Sequence, residues 1–356
     1  MQRGFEHQYG HYGALVDYWL HSRGGVYDWH RNEQPIDEDG YSTYLIADEA
    51  VRLIESQNGE RPFFLYVPFN AVHSPYAKQA PPELIAKYQG TGVNPDQAAQ
   101  VEAMDIAIGR ILEALDAKGL GDDTLVWFFN DNGGTGVVKQ NGPYRDFKCA
   151  YFEGGIRVAS VVRWPGKIPA NSTSDEMLHC VDMYPTLIRL AGGSLEQPLP
   201  LDGLDAWATI AEGAPSPRQE ILHGPDTIRV GDWKYIDGAA EYYSWKAGED
   251  WLFNIREDPG ETNNLLAAFP EKAEELRQRL AYWKTQERPA EEKDKIPGHP
   301  NWLFGEEENK TEPPAWLIER MTKARAGADA TLNEGGEGAA PRERPRRANR
   351  EERGGQ

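Results

Sequence analysis

The sequence predicts an α/β fold: a mostly parallel sheet flanked by helices, followed by a small antiparallel sheet with a helix of its own. Three observations predict it. Helical and strand patterns alternate between residues 42 and 190. The strand segments there are short, continuous apolar runs, as expected of strands covered on both faces. Beyond Gly193 the pattern changes to short strands separated by tight turns. The 356 residues suffice for one large domain, or one with a small appendage.

The first forty residues are aromatic and apolar without a clear period, which reads as packed loops. Ser42 is placed to cap a helix carrying Leu45, Ile46, Leu53 and Ile54 and ending at Gly59. Residues 63–69, Phe-Phe-Leu-Tyr-Val-Pro-Phe, read as a buried strand. Asn94 and Pro95 open a long helix with Val101, Met104, Ile108, Ile111, Leu112 and Leu115 on one face, closed by Gly119 or Gly121. Residues 124–129 and 158–163 are two further strands, and a helix spans about 182–190. Residues 194–220, rich in Pro, Gly and Asp, read as a linker. Segments 227–236, 242–245 and 251–255 read as antiparallel strands, and 270–286 as a helix with Leu276, Leu280 and Trp283 on one side. This divides the chain into a main domain (1–193), the linker (194–220), an antiparallel subdomain (221–322) and a disordered, Arg/Glu-rich tail (323–356).

Composition excludes several classes. With 38 Lys+Arg against 57 Asp+Glu, the net charge is −19, and such a surface repels polyanions, so nucleic acid is not an expected partner. No apolar run reaches the roughly eighteen residues of a membrane span. The polar opening Met1-Gln-Arg-Gly-Phe-Glu-His7 does not read as a secretory signal. Two cysteines, Cys149 and Cys180, exclude a disulfide-dense scaffold and a four-cysteine zinc site, and leave one bridge open.

Three segments are placed to carry chemistry. Asn130-Asp131-Asn132-Gly133-Gly134 directly follows the 124–129 strand, and ligand sites of parallel sheets lie at the carboxyl ends of strands. Asp131 and Asn132 offer hard oxygen donors, which suit Ca²⁺ or Mg²⁺ over zinc, while the glycines let the backbone turn; the same string is also a common Asx turn. His73, in Asn70-Ala-Val-His-Ser-Pro75, follows another strand segment and is expected at the same sheet edge. Lys148 lies in an aromatic stretch ahead of Gly154-Gly155, where a compact positive charge suits an anionic group. Glu153 and Arg157, four residues apart, are expected to pair as scaffold.

In combination these segments resemble the sulfatase family, of arylsulfatase type. The resemblance rests on Pro62 through Pro75, Met104-Asp-x-x-x-Gly109, Asn130 through Gly134, Asn141-Gly-Pro-Tyr-Arg-Asp-Phe-Lys148, Glu153-Gly-Gly-Ile-Arg157, Arg163-Trp-Pro-Gly166, Asp182-Met-Tyr-Pro-Thr186 and Asp202-Gly203-Leu-Asp205. Gly4-Phe5, Asp17-Tyr18, Arg229-x-Gly-Asp-Trp-Lys234 and Leu252-Phe-Asn-Ile-x-x-Asp258-Pro-Gly-Glu261 extend it. It implies an alkaline phosphatase-like fold and a sulfuric ester hydrolase that uses Ca²⁺ and a formylglycine nucleophile. It further implies Asp131 and Asn132 as metal ligands, and His73 and Lys148 as catalytic, substrate-binding residues against the sulfate group. The implied substrate is a sulfated small molecule or carbohydrate, and the full-length family implies a periplasmic or secreted location.

One part of the family pattern is missing. No Cys/Ser-x-Pro-x-Arg nucleophile motif occurs in the chain, and the family's early Asp-Asp pair and Lys-Trp-His segment are also not found. The chain is therefore expected to lack the N-terminal part that carries them, with exposed apolar strand edges that self-associate or take up an N-terminal fragment. The alternatives are a catalytically inactive sulfatase remnant and a phosphoesterase or phosphonate hydrolase of the same superfamily.

Overall fold

The computed structural model describes residues 4–13, 15–23, 25–135, 141–242, 245–286 and 315–334. They fall into two compact units, which divide between Ile111 and Leu112; residues 315–334 belong to the first. The division lies inside the helix Pro95–Ala117, away from the expected linker. That linker region also holds a short helix, Trp207–Glu212.

The first unit is built on aromatic packing. Tyr27, Trp29 and Ile46 form a core with Leu317 from the helix Ala315–Glu334, and Trp316 and Met321 pack against it. Arg320 on that helix pairs with Asp37 and Asp39. Residues 323–334 are thus helical where a disordered tail was expected: the Trp316-Leu317 anchor supplies apolar burial to a segment whose own composition is poor in it. The remainder of that expected tail, 335–356, lies outside the described residues.

The helix Ser42–Glu55 forms as expected, with a shifted start. Tyr41 holds the cap position, while Ser42 is buried and its hydroxyl donates to the Asn70 side-chain oxygen at 3.1 Å. Asn94 does cap Pro95–Ala117, accepting from the Gln97 amide at 3.1 Å. The buried stripe of that helix runs through Ala99, Gln100, Ala103, Met104 and Ala107. Val101 stands off it, 47% exposed, because small alanines allow the closer approach. Residues 62–70 form no strand; Phe64 and Tyr66 are each 64% exposed, since no neighbouring strand among the described residues pairs with them.

The second unit contains strands Val126–Phe129 and Ser160–Arg163, which pair with each other antiparallel. A four-stranded sheet follows, in the order Trp251–Asn254, Trp233–Ile236, Thr227–Val230, Glu220–Leu222. Every ladder among the described residues is antiparallel, so the helix-and-sheet composition is as expected but parallel pairing is not formed within them. The 242–245 segment contributes to two paired strands, Glu241–Tyr242 and Trp245–Lys246, instead of one.

Alternation along the strands gives the four-stranded sheet two buried faces. Ile228, Tyr235 and Leu252 meet Ala273, Leu276 and Leu280 of the helix Pro270–Gln286. Ile236 and Phe253, of opposite parity, pack on Ala150 and Phe152. The small sheet is therefore bolted to the segment that follows Lys148, so the two behave as one core. Both cysteines are free. No described helix is long and apolar enough to cross a membrane.

The first unit contains a pH-sensitive group. His21 is fully buried, its Nε2 lies 2.9 Å from the Gly40 carbonyl and its ring stacks on Trp29 at 4.3 Å. Burial lowers its pKa to about 4. The unfolded chain takes up this proton near 6.5, whereas the folded chain resists it until about 4. The contribution is therefore complete above pH 6.5 and lost as the pH falls toward 4, by at most roughly 3 kcal/mol. Urea denaturation of wild type and His21→Gln at pH 7.5 and 4.5 should show a shallower loss on acidification in the variant.

Candidate active site

Asp131 and Asn132 leave the strand Val126–Phe129 at its C-terminal end. Their loop is held by backbone contacts. The Asn130 amide donates to the Ala159 carbonyl at 3.3 Å and the Gly133 amide to the Gly155 carbonyl at 3.0 Å. A Cβ on Gly133 would stand 1.9 Å from the Gly154 carbonyl oxygen. Gly133 is thus required for close backbone approach, not for the tight turn expected from the sequence. Gly154 and Gly155 are equally crowded, each by backbone carbonyls of residues 145–150.

Lys148 is joined to the same loop. Its amide donates to the Gly134 carbonyl at 2.9 Å, and the Gly134 amide donates to the Asn141 side-chain oxygen at 2.7 Å. Asn141 in turn donates to the Asp146 carbonyl at 2.9 Å. Asp146 and Cys149, on either side of Lys148, have φ of 66° and 78°, conformations that non-glycine residues adopt only when their surroundings enforce them. Lys148 is a half-buried residue, and its ammonium forms no ion pair among the described residues, although the chain carries a net −19. The exposed Asp131 carboxylate is also unpaired among them, and the Asn132 amide group donates to the Gly133 carbonyl at 2.8 Å. Two oxygen-bearing side chains and one free cation therefore share a single backbone-bonded loop cluster. No group of three or more His, Cys, Asp or Glu suited to a metal occurs among the described residues, so Asp131 and Asn132 supply at most part of a six- to eight-oxygen shell.

His73 belongs to the first unit. Its amide donates to the Asn70 carbonyl at 2.8 Å, closing a turn. The Tyr18 hydroxyl holds that turn, lying 2.8 Å from the His73 carbonyl and 3.0 Å from that of Asn70. Burial pushes the Tyr18 phenol above its ordinary range, so it remains a donor at all working pH values. The Tyr18 amide and Asp17 carboxylate both bind the Gln79 side chain, which fixes the Asp17-Tyr18 pair noted in the sequence. The His73 Nδ1 sits 3.0 Å from the Ser74 carbonyl, while Nε2 has no partner among the described residues.

Sequence reasoning underrated a third group. Lys234, fully buried, lies 3.1 Å from Glu153 and 2.8 Å from Glu261, themselves both buried. The Glu153 amide donates to the second Glu261 oxygen at 2.5 Å, and the Glu261 carbonyl accepts from Arg145 at 3.0 Å. Arg157 does pair with Glu153, at 3.8 Å, but as an outer member of this cluster. The available signal was parity: Lys234 shares a sheet face with Ile236, which is a core position.

The fold is that of known sulfatase structures, an alkaline phosphatase-like α/β architecture. Residues 1–194 match the Sulfatase family, more than half the chain, and the chain belongs to that family. It is 31% identical to Arylsulfatase J of Mus musculus over 79% of this chain and 56% of that protein. It is 32% identical to a Sulfatase of Formosa agariphila, over 64% of this chain and 46% of that one. The chain thus spans about half the length of these relatives. Among solved structures, Ps i-CgsB in complex with k-i-k-neocarrahexaose superposes with a TM-score of 0.71 at 25% identity, over 81% of this chain and 68% of that one.

The crowding at Gly133 makes a direct prediction. Gly133→Ala must move the Gly154 carbonyl and break the Gly133–Gly155 hydrogen bond, at a cost of roughly 1–3 kcal/mol. Gly142→Ala, where nothing lies within 4 Å of the added atom but φ is +60°, should cost only about 1 kcal/mol. Chemical denaturation of the two variants checks the ranking.

Proposed function

We propose that this chain carries the metal-binding and sulfate-contacting part of a sulfuric ester hydrolase of arylsulfatase type. The observation that carries the reading is the half-buried Lys148, its ammonium unpaired among the described residues and its backbone bonded to the loop of the unpaired Asp131 carboxylate. Asp131 and Asn132 would hold Ca²⁺, whose charge would polarise a sulfate oxygen. Lys148 would bind a second sulfate oxygen and stabilise the negative charge that develops as the ester bond breaks. His73, oriented by Ser74 and by the Tyr18-braced turn, would present Nε2 to the bridging ester oxygen and give a proton to the departing alcohol. The substrate would be a sulfated small molecule or carbohydrate; the complex of Ps i-CgsB with k-i-k-neocarrahexaose supports the carbohydrate class.

The 356 residues contain no Cys/Ser-x-Pro-x-Arg motif, so the covalent nucleophile must come from another polypeptide segment. Exposed Phe63, Phe64 and Tyr66 in one unit, and Val161 at 63% exposure in the other, are the surfaces such a segment would cover. Without it, the chain is expected to elute from size exclusion as self-associated species; a monodisperse monomer would show that these faces are tolerated bare.

Hydrolysis of 4-nitrophenyl sulfate and 4-nitrophenyl phosphate tests the activity. The chain alone should show no turnover above background. Sulfate hydrolysis should appear when the chain is co-expressed with a segment bearing a formylglycine-convertible Cys-x-Pro-x-Arg sequence, and Lys148→Ala should lower it by about 10²-fold or more. Turnover without that segment, indifference to Lys148→Ala, or preference for the phosphate ester would each overturn the reading.

A further inference from the structure

We propose that Lys234 is a positioning residue for the candidate site: through Glu153 and Glu261 it sets where the Asp131–Asn132 turn and Lys148 stand. The inference rests on the reading of those residues as the site. Lys234 belongs to the strand Trp233–Ile236, and its ammonium is the common partner of both buried carboxylates. Each carboxylate governs a different part of the loop cluster. Glu153 opens the short helix Glu153–Ile156, whose Gly154 and Gly155 carbonyls form the surface on which Gly133 rests. Glu261 receives the Glu153 amide with one oxygen, and with its own carbonyl receives Arg145. The Arg145 carbonyl in turn accepts the Gly154 amide at 2.8 Å, and the Arg145 guanidinium lies 3.9 Å from the centre of the Phe152 ring. The Gly133–Gly155 bond is therefore tied to the Lys234 ammonium through the 153–155 segment, and the Lys148–Gly134 bond follows from it one residue further on.

Three residues in the cluster adopt positive φ without being glycine: Asp146, Cys149 and Glu261, the last at 51°. Such conformations persist only where the surroundings over-determine them. Glu261 is locked from both sides, by Lys234 on its side chain and by Arg145 on its carbonyl. Removing the ammonium leaves the Glu261 carboxylate buried without a cation and Glu153 with only the more distant Arg157 and Arg229, at 3.8 and 3.9 Å, so the two carboxylates repel and separate. That separation shifts Glu153, and the Gly154–Gly155 surface with it.

The test is residue-resolved amide hydrogen exchange on the full chain, comparing wild type, Lys234→Met and the isosteric Glu153→Gln. The expected result is at least tenfold faster exchange at Gly133, Gly134 and Lys148, with Ile228 and Leu252 of the same sheet as Lys234 changed less than threefold. A purely architectural lysine gives the opposite order, with sheet amides loosened as much as the loop, and that result overturns the proposal. So does unchanged protection at the three loop amides. If Lys234→Met does not fold, Glu153→Gln gives the same readout while keeping the side-chain shape. The co-expression assay with Lys148→Ala is run in parallel. Indifference of sulfate hydrolysis to Lys148→Ala counts against the reading of the site, whereas the exchange pattern decides the role of Lys234 independently.

Discussion

A lysine ammonium and two carboxylates, all withdrawn from water, fix the register between the small sheet and the 145–155 segment of the second unit. Their desolvation costs several kcal/mol per ion, so the cluster adds little net stability over a well-packed apolar alternative. Its value is conditional: Lys234 is the cation shared by both carboxylates, with Arg157 and Arg229 as more distant partners of Glu153, and loss of the lysine leaves the buried Glu261 carboxylate without a cation. That asymmetry makes the contact selective for a single arrangement. Glu153 lies at the end of the Lys148 segment, Lys234 on the small sheet, and Glu261 in the turn after the strand Trp251–Asn254. Only one relative placement of these three pieces satisfies all of them.

Apolar packing agrees with that placement. Phe152 contacts Trp245, Trp251 and Phe253 edge-on, and Arg145 lies over both Phe152 and Trp251. These contacts contribute more to stability than the ions do, roughly 1.5–3 kcal/mol for each fully buried large side chain. They tolerate small slips that the ions do not. Aromatic rings supply adhesion between the small sheet and the 150–153 segment, and the ion triad supplies its register. A second buried pair serves a similar end elsewhere in the unit: Arg218 binds both Asp182 oxygens and the Asp202 carbonyl. Burial would raise the Asp182 carboxyl, but Arg218 and the Leu204 and His179 amides hold it below its usual value. This fastens the helix Met183–Leu190 to the loop that follows it.

Much of this was legible in the chain, for reasons that differ by residue. Asn94 reads as a cap because its side chain acts within three residues of itself, and local chemistry is visible in local sequence. Leu276 and Leu280 read as a core stripe for the same reason. Ser42 misled because its hydroxyl is used by Asn70, 28 residues away, and no local rule describes that bond. Val101 misled because hydrophobicity was weighed above size, whereas close helix packing selected Ala99, Ala103 and Ala107. Of the candidate site, the order strand, Asp131-Asn132, glycine pair and Lys148 was legible, and the contact between Lys148 and Gly134 was not. Lys234 shows the sharpest limit, since lysines are almost never fully buried unless paired, and its partners lie 81 positions before it and 27 after it.

The apolar run at 62–70 shows why strand character is not a property of a segment alone. Its composition is that of an interior strand, yet without paired neighbours its backbone groups find no ladder and Phe64 and Tyr66 face solvent. The strand Val126–Phe129 has similar composition and does form, because Ser160–Arg163 satisfies one of its edges. Its Trp127 indole donates to the Ser160 hydroxyl, so even an aromatic side chain is used to hold the pair. The two segments differ in what lies beside them, not in propensity. The same reasoning separates the candidate residues of the two units. Asp131, Asn132 and Lys148 follow a paired strand and are fixed by neighbouring backbone, whereas His73 follows an unpaired run and depends on Tyr18 and Gln79 for its turn. Completion of the sheet beside residues 62–70 would therefore act first on the base of the His73 turn, while the Asp131–Asn132 loop already stands in a supported geometry.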